Sequence, residues 1–332
     1  PSPNPIERPA RGGSRAGRLP ECGVCGRAGT LSVAVDSPSV VIAEPSVRRG
    51  VVKAYFALTK PRIIELLLIT TVPAMVLAEG GWPGWWTVLA TLIGGSLSAG
   101  GANAINNWFD RDIDEVMRRT RRRPLPRHEI EPVAALRFGM ALGVAGFLWL
   151  WAFANLLAAV LSTAGLLFYV FVYTVALKRR TSQNIVIGGA AGAVPPLVGW
   201  AAVTGELDLA AWVLFALVFY WTPPHFWALA LRYEDDYAKA GVPMLPVVRG
   251  TEQTVQSILL YTVTMVLLSL LLVPVAGMGW IYLVAAIASG TWFTWSAWRV
   301  RRDPARAMKL FTDSTVYLAV LFASVAVDVF VR

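Results

Sequence analysis

The sequence predicts an all-α, polytopic membrane protein, with nine transmembrane helices bundled around a central cavity. Three observations predict it. Hydrophobic residues fill 56% of the 332 positions and charged residues only 15%, whereas a soluble domain carries nearer a quarter charged. Apolar runs of about 18 residues or more, the length a bilayer core demands, recur along the chain without the polar stripe of a soluble helix. The basic residues are also sorted. With spans drawn at about 63–80, 85–108, 133–151, 154–177, 184–203, 210–231, 255–274, 279–298 and 310–330, 29 of the 30 Lys and Arg residues fall on one side. The loops on the other side hold none, and only Arg332 remains. The positive-inside rule then places the N-terminus in the cytoplasm and the C-terminus outside. The net charge of +9 is accounted for by this orientation and not by a nucleic-acid partner.

Residues 1–50 are rich in Pro, Gly, Arg and Ser and are expected to form a disordered cytoplasmic tail, with residues 51–332 as the transmembrane domain. Cys22 and Cys25 lie in that tail without a second ligand pair, so they imply neither a zinc site nor a disulfide framework. The tail has no apolar signal-peptide core, and its Pro and Gly would break the amphipathic helix of a transit peptide. A bacterial inner-membrane protein is expected.

The first span is entered through Leu58-Thr-Lys60-Pro61-Arg62, where proline suits a helix start and the two cations are either interface anchors or supporting charge for a phosphate. The second span holds Gly94-Gly95-Ser96 and Ala99-Gly100-Gly101-Ala102, small residues that let helices approach closely in lipid. At its end stand Asn106, Asp110 and Asp114, spaced four apart and so on one helical face. Arg118, Arg119, Arg121, Arg122 and Arg123 follow. The fourth and fifth spans are joined by Lys178-Arg179-Arg180. The fifth carries Gly188, Gly189, Gly192, Pro195 and Pro196, and the freed carbonyls before such prolines must face protein or a wet cavity. The sixth span ends Thr222-Pro-Pro-His225-Phe-Trp227 and leads to a second acidic group, Glu234, Asp235 and Asp236. The last three spans read as scaffold, with Asp313 and Asp328 their only internal charges.

Carboxylates that repel one another beside a block of guanidinium groups suit one ligand type, a phosphate with its divalent metal. Asp110, Asp114 and Asp236 are the leading Mg²⁺ ligands, Asn106 offers an amide oxygen, and Asp235 competes with Asp236. Arg111, Arg119, Arg123 and Lys178 are candidates for the remaining phosphate oxygens. His225, ionisable within a span, is a candidate binding residue, with packing and haem-iron ligation as the alternatives.

The ordered motifs resemble the UbiA-type intramembrane prenyltransferases, and within them the branch that farnesylates haem. The likeness is carried by Leu58–Arg62, Asn106–Asp114 with Arg119-Thr120 and Arg123-Pro124-Leu125, Gln183–Gly192 with Pro195-Pro196, Thr222–Trp227, and Asp236-Tyr237 through Pro243–Pro246. It covers residues 52–330. It departs from the wider family at the second acidic motif, which is Asp235-Asp236-Tyr237-x-Lys239 where Asp-x-x-x-Asp is usual. The resemblance implies farnesyl diphosphate and haem b as substrates, haem O as product, Mg²⁺ as cofactor, and delivery to a haem A synthase or oxidase assembly. It adds Tyr237 to the catalytic set and Asn184 and Lys239 to the binding set. The rival readings are a UbiA-type enzyme acting on a quinone precursor and a transporter of anionic lipids.

Overall fold

The computed structural model describes residues 44–332, with the side chains of 44–49, 62, 63 and 65–68 outside the described residues. The expected tail, with Cys22 and Cys25, falls on residues 1–43 except for its last seven positions, and so lies outside the description. Among the described residues the structure is all-helical. An initial helix α1 (Glu44–Leu58) precedes the predicted start of the domain, and α2 (Pro61–Glu79) and α3 (Trp85–Phe109) follow. A short α4 (Arg111–Val116) leads through a loop to α5 (Pro132–Phe153) and α6 (Leu156–Leu167), which continues as a π-helix (Phe168–Leu177). Then come α7 (Asn184–Thr204), α8 (Leu209–Arg232), a short α9 (Glu234–Lys239) and α10 (Leu245–Ala276). The chain closes with α11 (Trp280–Arg302), a 3₁₀ turn (Pro304–Arg306) and α12 (Ala307–Val331).

Seven of the described helical segments are long and apolar enough to cross a membrane: α3, α5, α6 with its π-helix, α7, α8, α10, and α12 with its preceding turn. Their outward side chains, such as Leu148, Phe171, Leu260, Leu267 and Val316, are exposed as a lipid-facing surface requires. The reversals far from the acidic loops have clear causes. Gly80, Gly205 and Gly277 end α2, α7 and α10 at positive φ, and the Asn155 and Asp208 side chains accept from the first-turn amides of Ala158 and Ala211.

Close backbone approach positions α3. A Cβ on Gly101 would lie 2.7 Å from the Gly139 carbonyl oxygen and 2.8 Å from the Gly143 nitrogen, and one on Gly146 would lie 2.9 Å from the Ser98 nitrogen. The small-residue stripe of α3 is thus the seam with α5. On the other side Gly199 of α7 meets Thr71 of α2, whose carbonyl oxygen would be 2.8 Å from an added Cβ. The main apolar core joins α8, α10, α11 and α12 through Leu214, Leu217, Ile258, Met265, Phe293, Tyr317 and Phe322.

Both acids of the scaffold spans have structural partners. Asp328 of α12 accepts from the Gly279 amide at 2.7 Å and the Tyr282 amide at 3.0 Å, capping the start of α11, and pairs with Arg332 at 3.0 Å. Asp313 accepts from Ser296 Oγ at 2.5 Å, tying α12 to α11.

Candidate active site

Alternation of the long helices brings the loops α3–α5, α6–α7 and α8–α10 to one end of the bundle. There α3 presents three asparagines and an aspartate. Asn103 Nδ2 donates to the Thr59 carbonyl at 3.1 Å and Asn107 Nδ2 to the Leu58 carbonyl at 3.0 Å, so the orphan oxygens at the end of α1 are satisfied from α3. This pins the turn that carries Lys60, which stands at φ 54, a left-handed conformation few side-chain-bearing residues adopt. Lys60 Nζ donates to Asn106 Oδ1 at 2.8 Å. Burial, reinforced by the nearby Arg123 and Lys178 cations, holds the Lys60 ammonium well below its ordinary pKa, against the pull of Asp114 and Asp110.

Asn106 uses its whole amide. Its Nδ2 donates to Asp110 Oδ2 at 2.6 Å and to Thr174 Oγ1 at 3.2 Å. Thr174 sits on the π-helix, where its own hydroxyl donates to the Tyr169 carbonyl five residues back at 2.9 Å. The wider π turn ends at Lys178, which pairs with Asp110 Oδ2. Asn184, fully buried at the start of α7, donates to the Lys178 carbonyl at 3.1 Å and so holds the turn behind that lysine.

The acids are buried on the inner side. Asp110 is 0% exposed; its Oδ1 has no hydrogen-bond partner, and Arg179 stands 3.7 Å from it. Asp114 is paired with Arg123 at 2.7 Å, and its carbonyl accepts from Thr120 Oγ1 at 3.1 Å. Asp236 accepts from Arg118 at 3.1 Å through Oδ1, while its buried Oδ2 is unpartnered. Tyr237 packs with Ile113, Met117, Ile185, Val242 and Met244, a small core shared by the two acidic loops, and its hydroxyl lies 3.5 Å from Arg119.

The structure therefore brings together Lys60, Asn106, Asp110, Asp114, Arg119, Arg123, Lys178 and Asn184, with Asp236 and Tyr237 on the facing loop. It leaves others apart. Asp235 and Lys239 are exposed on the outer side of α9, because that six-residue helix turns Asp236 and Tyr237 inward. Arg111 folds back, donating to the Trp108 carbonyl at 2.7 Å and lying over the Trp108 ring. The Arg62 side chain lies outside the described residues. His225 is stacked between Trp221 and Phe311, each 4.2 Å away, with Nδ1 2.7 Å from Ser314 Oγ. It bridges α8 to α12 and contacts none of the acids.

Three residues that sequence reasoning did not single out also belong here. Arg118 is the partner of Asp236. Arg179 grips Asp112 with two bonds of 2.6 Å, which lowers the Asp112 pKa and raises its own. Thr174 orients Asn106. The two arginines were hidden in basic runs that look alike residue by residue, and no signal in the sequence distinguished Thr174.

A sequence model described as the UbiA prenyltransferase family matches residues 67–324. A protein of Clavibacter sepedonicus named protoheme IX farnesyltransferase is 55% identical over 281 residues, covering 83% of this chain and 92% of the relative. Among solved structures, a digeranylgeranylglyceryl phosphate synthase superposes with a TM-score of 0.71 at 19% identity, covering 85% of this chain and 99% of that one. A UbiA homologue from Archaeoglobus fulgidus bound to DMAPP and Mg²⁺ superposes with a TM-score of 0.58 at 16% identity, covering 82% of this chain and 99% of that one. Motif order, family match and fold agree: this chain belongs to the UbiA prenyltransferase family.

Proposed function

We propose that this protein transfers the farnesyl group of farnesyl diphosphate to a vinyl group of haem b, with addition of water, to make haem O. The observation that carries the reading is the pair of loops, 118 residues apart in sequence, whose buried acids are each held by a cation and which are joined by the Arg118–Asp236 pair. The name of the Clavibacter relative supplies the substrates.

Mg²⁺ fits the residues in one mode. Among the described residues no three His, Cys, Asp or Glu side chains converge into a protein-only cage. Buried carboxylate oxygens without hydrogen bonds do exist on Asp110 and Asp236. That suits an ion held by one or two carboxylates together with substrate phosphates. Asp110, Asp114 and Asp236, with Asn106, would hold it, Asp235 being the outward alternative. When bound, Mg²⁺ supplies positive charge that stabilises the departing diphosphate.

The chain's own groups do the rest. Lys178, Arg123 and Lys60 now neutralise or face the acids, and Arg119 reaches the Tyr237 hydroxyl beside them; these groups would bind diphosphate oxygens as the carbon–oxygen bond of the substrate lengthens. Arg62 belongs to the same set by position in sequence, and Arg111, Lys239 and His225 stand outside it. The allylic cation left by diphosphate departure is attacked by the vinyl carbon, forming the new carbon–carbon bond. The cation then formed beside the porphyrin takes up water and loses a proton. Apolar and aromatic walls must keep water from the allylic cation until that bond forms.

We infer that α2 and α11 complete a set of nine spans around a central cavity, and that the acidic loops face the cytoplasm of a bacterial inner membrane. Delivery of the product to a haem A synthase or an oxidase assembly is part of this reading and rests on the family resemblance alone. The test is a mass spectrum of haems from membranes with and without the protein. A farnesylated haem present only with the protein is expected, and a prenylated phenol in its place would overturn the proposal.

A further inference from the structure

At the end of the bundle that carries the acidic loops, but on α11 and the turn before α12, lies a cavity of about 350 Å³ lined by Trp295, Trp298, Arg299, Arg302, Asp303 and Arg306. Its chemistry is unlike that of the reaction site. Arg299 lies over the Trp295 ring, 4.5 Å from its centroid, and Arg302 over the Trp298 ring at 4.0 Å. A guanidinium held over an indole by cation–π attraction still has N–H groups for another partner. Neither arginine has a carboxylate within ion-pair distance among the described residues. The one acid in the lining, Asp303, is already committed: Oδ2 pairs with Arg306 at 3.1 Å, and Oδ1 accepts from the Ala305 amide at 3.2 Å. The cavity thus offers two preorganised, unneutralised forks.

The position of the tryptophans says where the ligand comes from. Trp295 and Trp298 are 51% and 37% exposed on a helix whose neighbouring outward residues, Ile287 and Trp292, are also exposed and apolar. Tryptophan side chains of this kind sit at the headgroup level of a bilayer. A ligand reaching the arginines across these rings has an anionic group at the interface and an apolar body along α11. We propose that this cavity is a binding site for the headgroup of an anionic phospholipid, with the phosphate on Arg299 and Arg302 and the acyl chains along the tryptophan face.

The test uses the full chain in bilayer nanodiscs of mixed phosphatidylglycerol and phosphatidylcholine, released for native mass spectrometry, with bound lipid counted by headgroup. Wild type should retain phosphatidylglycerol preferentially. Arg299→Gln with Arg302→Gln should lower that retention roughly tenfold relative to the charge-matched control Arg301→Gln with Lys309→Gln, whose side chains do not line the cavity. Equal losses in the two double variants would mean diffuse attraction to basic charge and would overturn the site. Displacement of the lipid by millimolar inorganic phosphate would assign the cavity to a free anion instead and would overturn the lipid. Arg299→Lys with Arg302→Lys keeps the charge but not the flat fork, so it should show an intermediate loss, and unchanged retention would count against the proposal. Farnesyl transfer should be unaffected in all these variants, because none touches the acidic loops.

Discussion

Asp235 and Asp236 are adjacent in sequence and opposite in environment, and that contrast makes the sharpest test of the site. Asp236→Asn removes a buried charge that faces Arg118 and is expected to lower haem O formation roughly a hundredfold. Asp235→Asn changes an exposed carboxylate and should stay within about threefold. Product yield by liquid chromatography with mass detection separates the two outcomes, and comparable losses would return Asp235 to the site. Asn107 makes a different prediction. Asn107→Leu strips the Leu58 carbonyl of its donor, which should cost about 1–3 kcal/mol, read as a lower unfolding temperature in detergent. Asp110 and Asp114 were legible in the sequence because a spacing of four puts them with Asn106 on one helical face, and the Asp110 and Asp114 amides, donating to the Asn106 and Asp110 carbonyls, keep that spacing across the α3–α4 junction. Which acid of the second group turns inward was not, because the orientation of so short a helix is set by the packing of Tyr237 against Ile113, a contact that no local pattern encodes.

At the level of the helices, the seam between α3 and α5 governs how the first acids are held. Gly101→Ala drives a methyl group into the backbone of α5 and is expected to destabilise by about 2 kcal/mol or more, with loss of transfer activity. Gly95→Ala, with nothing within 4 Å of the added carbon, should be tolerated by both measures. Both glycines read alike in the sequence as small residues of a packed helix; only the neighbour distinguishes them. The long helices themselves were legible to within a few residues, because hydropathy and the ends of helices act over short stretches, except that α10 starts at Leu245 instead of near 255, with a non-helical break at Gly250 (φ 75, ψ 172). The π-helix was not. Phe168–Leu177 is as apolar as any α-helical span, and its extra width shows only in which carbonyl Thr174 and Lys178 reach.

Across the molecule, the same economy of partners recurs far from the chemistry. Asp328→Ala leaves the first amides of α11 without acceptors and should lower stability by about 1–2 kcal/mol, with transfer per folded molecule unchanged. A fall in specific activity without a fall in unfolding temperature would contradict the capping role. The all-helical, many-span character was legible from the recurring apolar runs; the polar contacts between distant helices were not, since they join residues with no common pattern.

The separations along the chain of the site's ion pairs set an order in time. Asp114 and Arg123 are nine residues apart, Asp110 and Lys178 sixty-eight, and Arg118 and Asp236 one hundred and eighteen. A ribosome delivers the chain from the N-terminus, so each acid near α3 meets its own cation before the opposite wall exists. Closure then waits for α9, when Tyr237 can reach Ile113 and Met117. A cysteine pair placed across those loops should cross-link in nascent chains long enough to expose α9 and in none that are shorter.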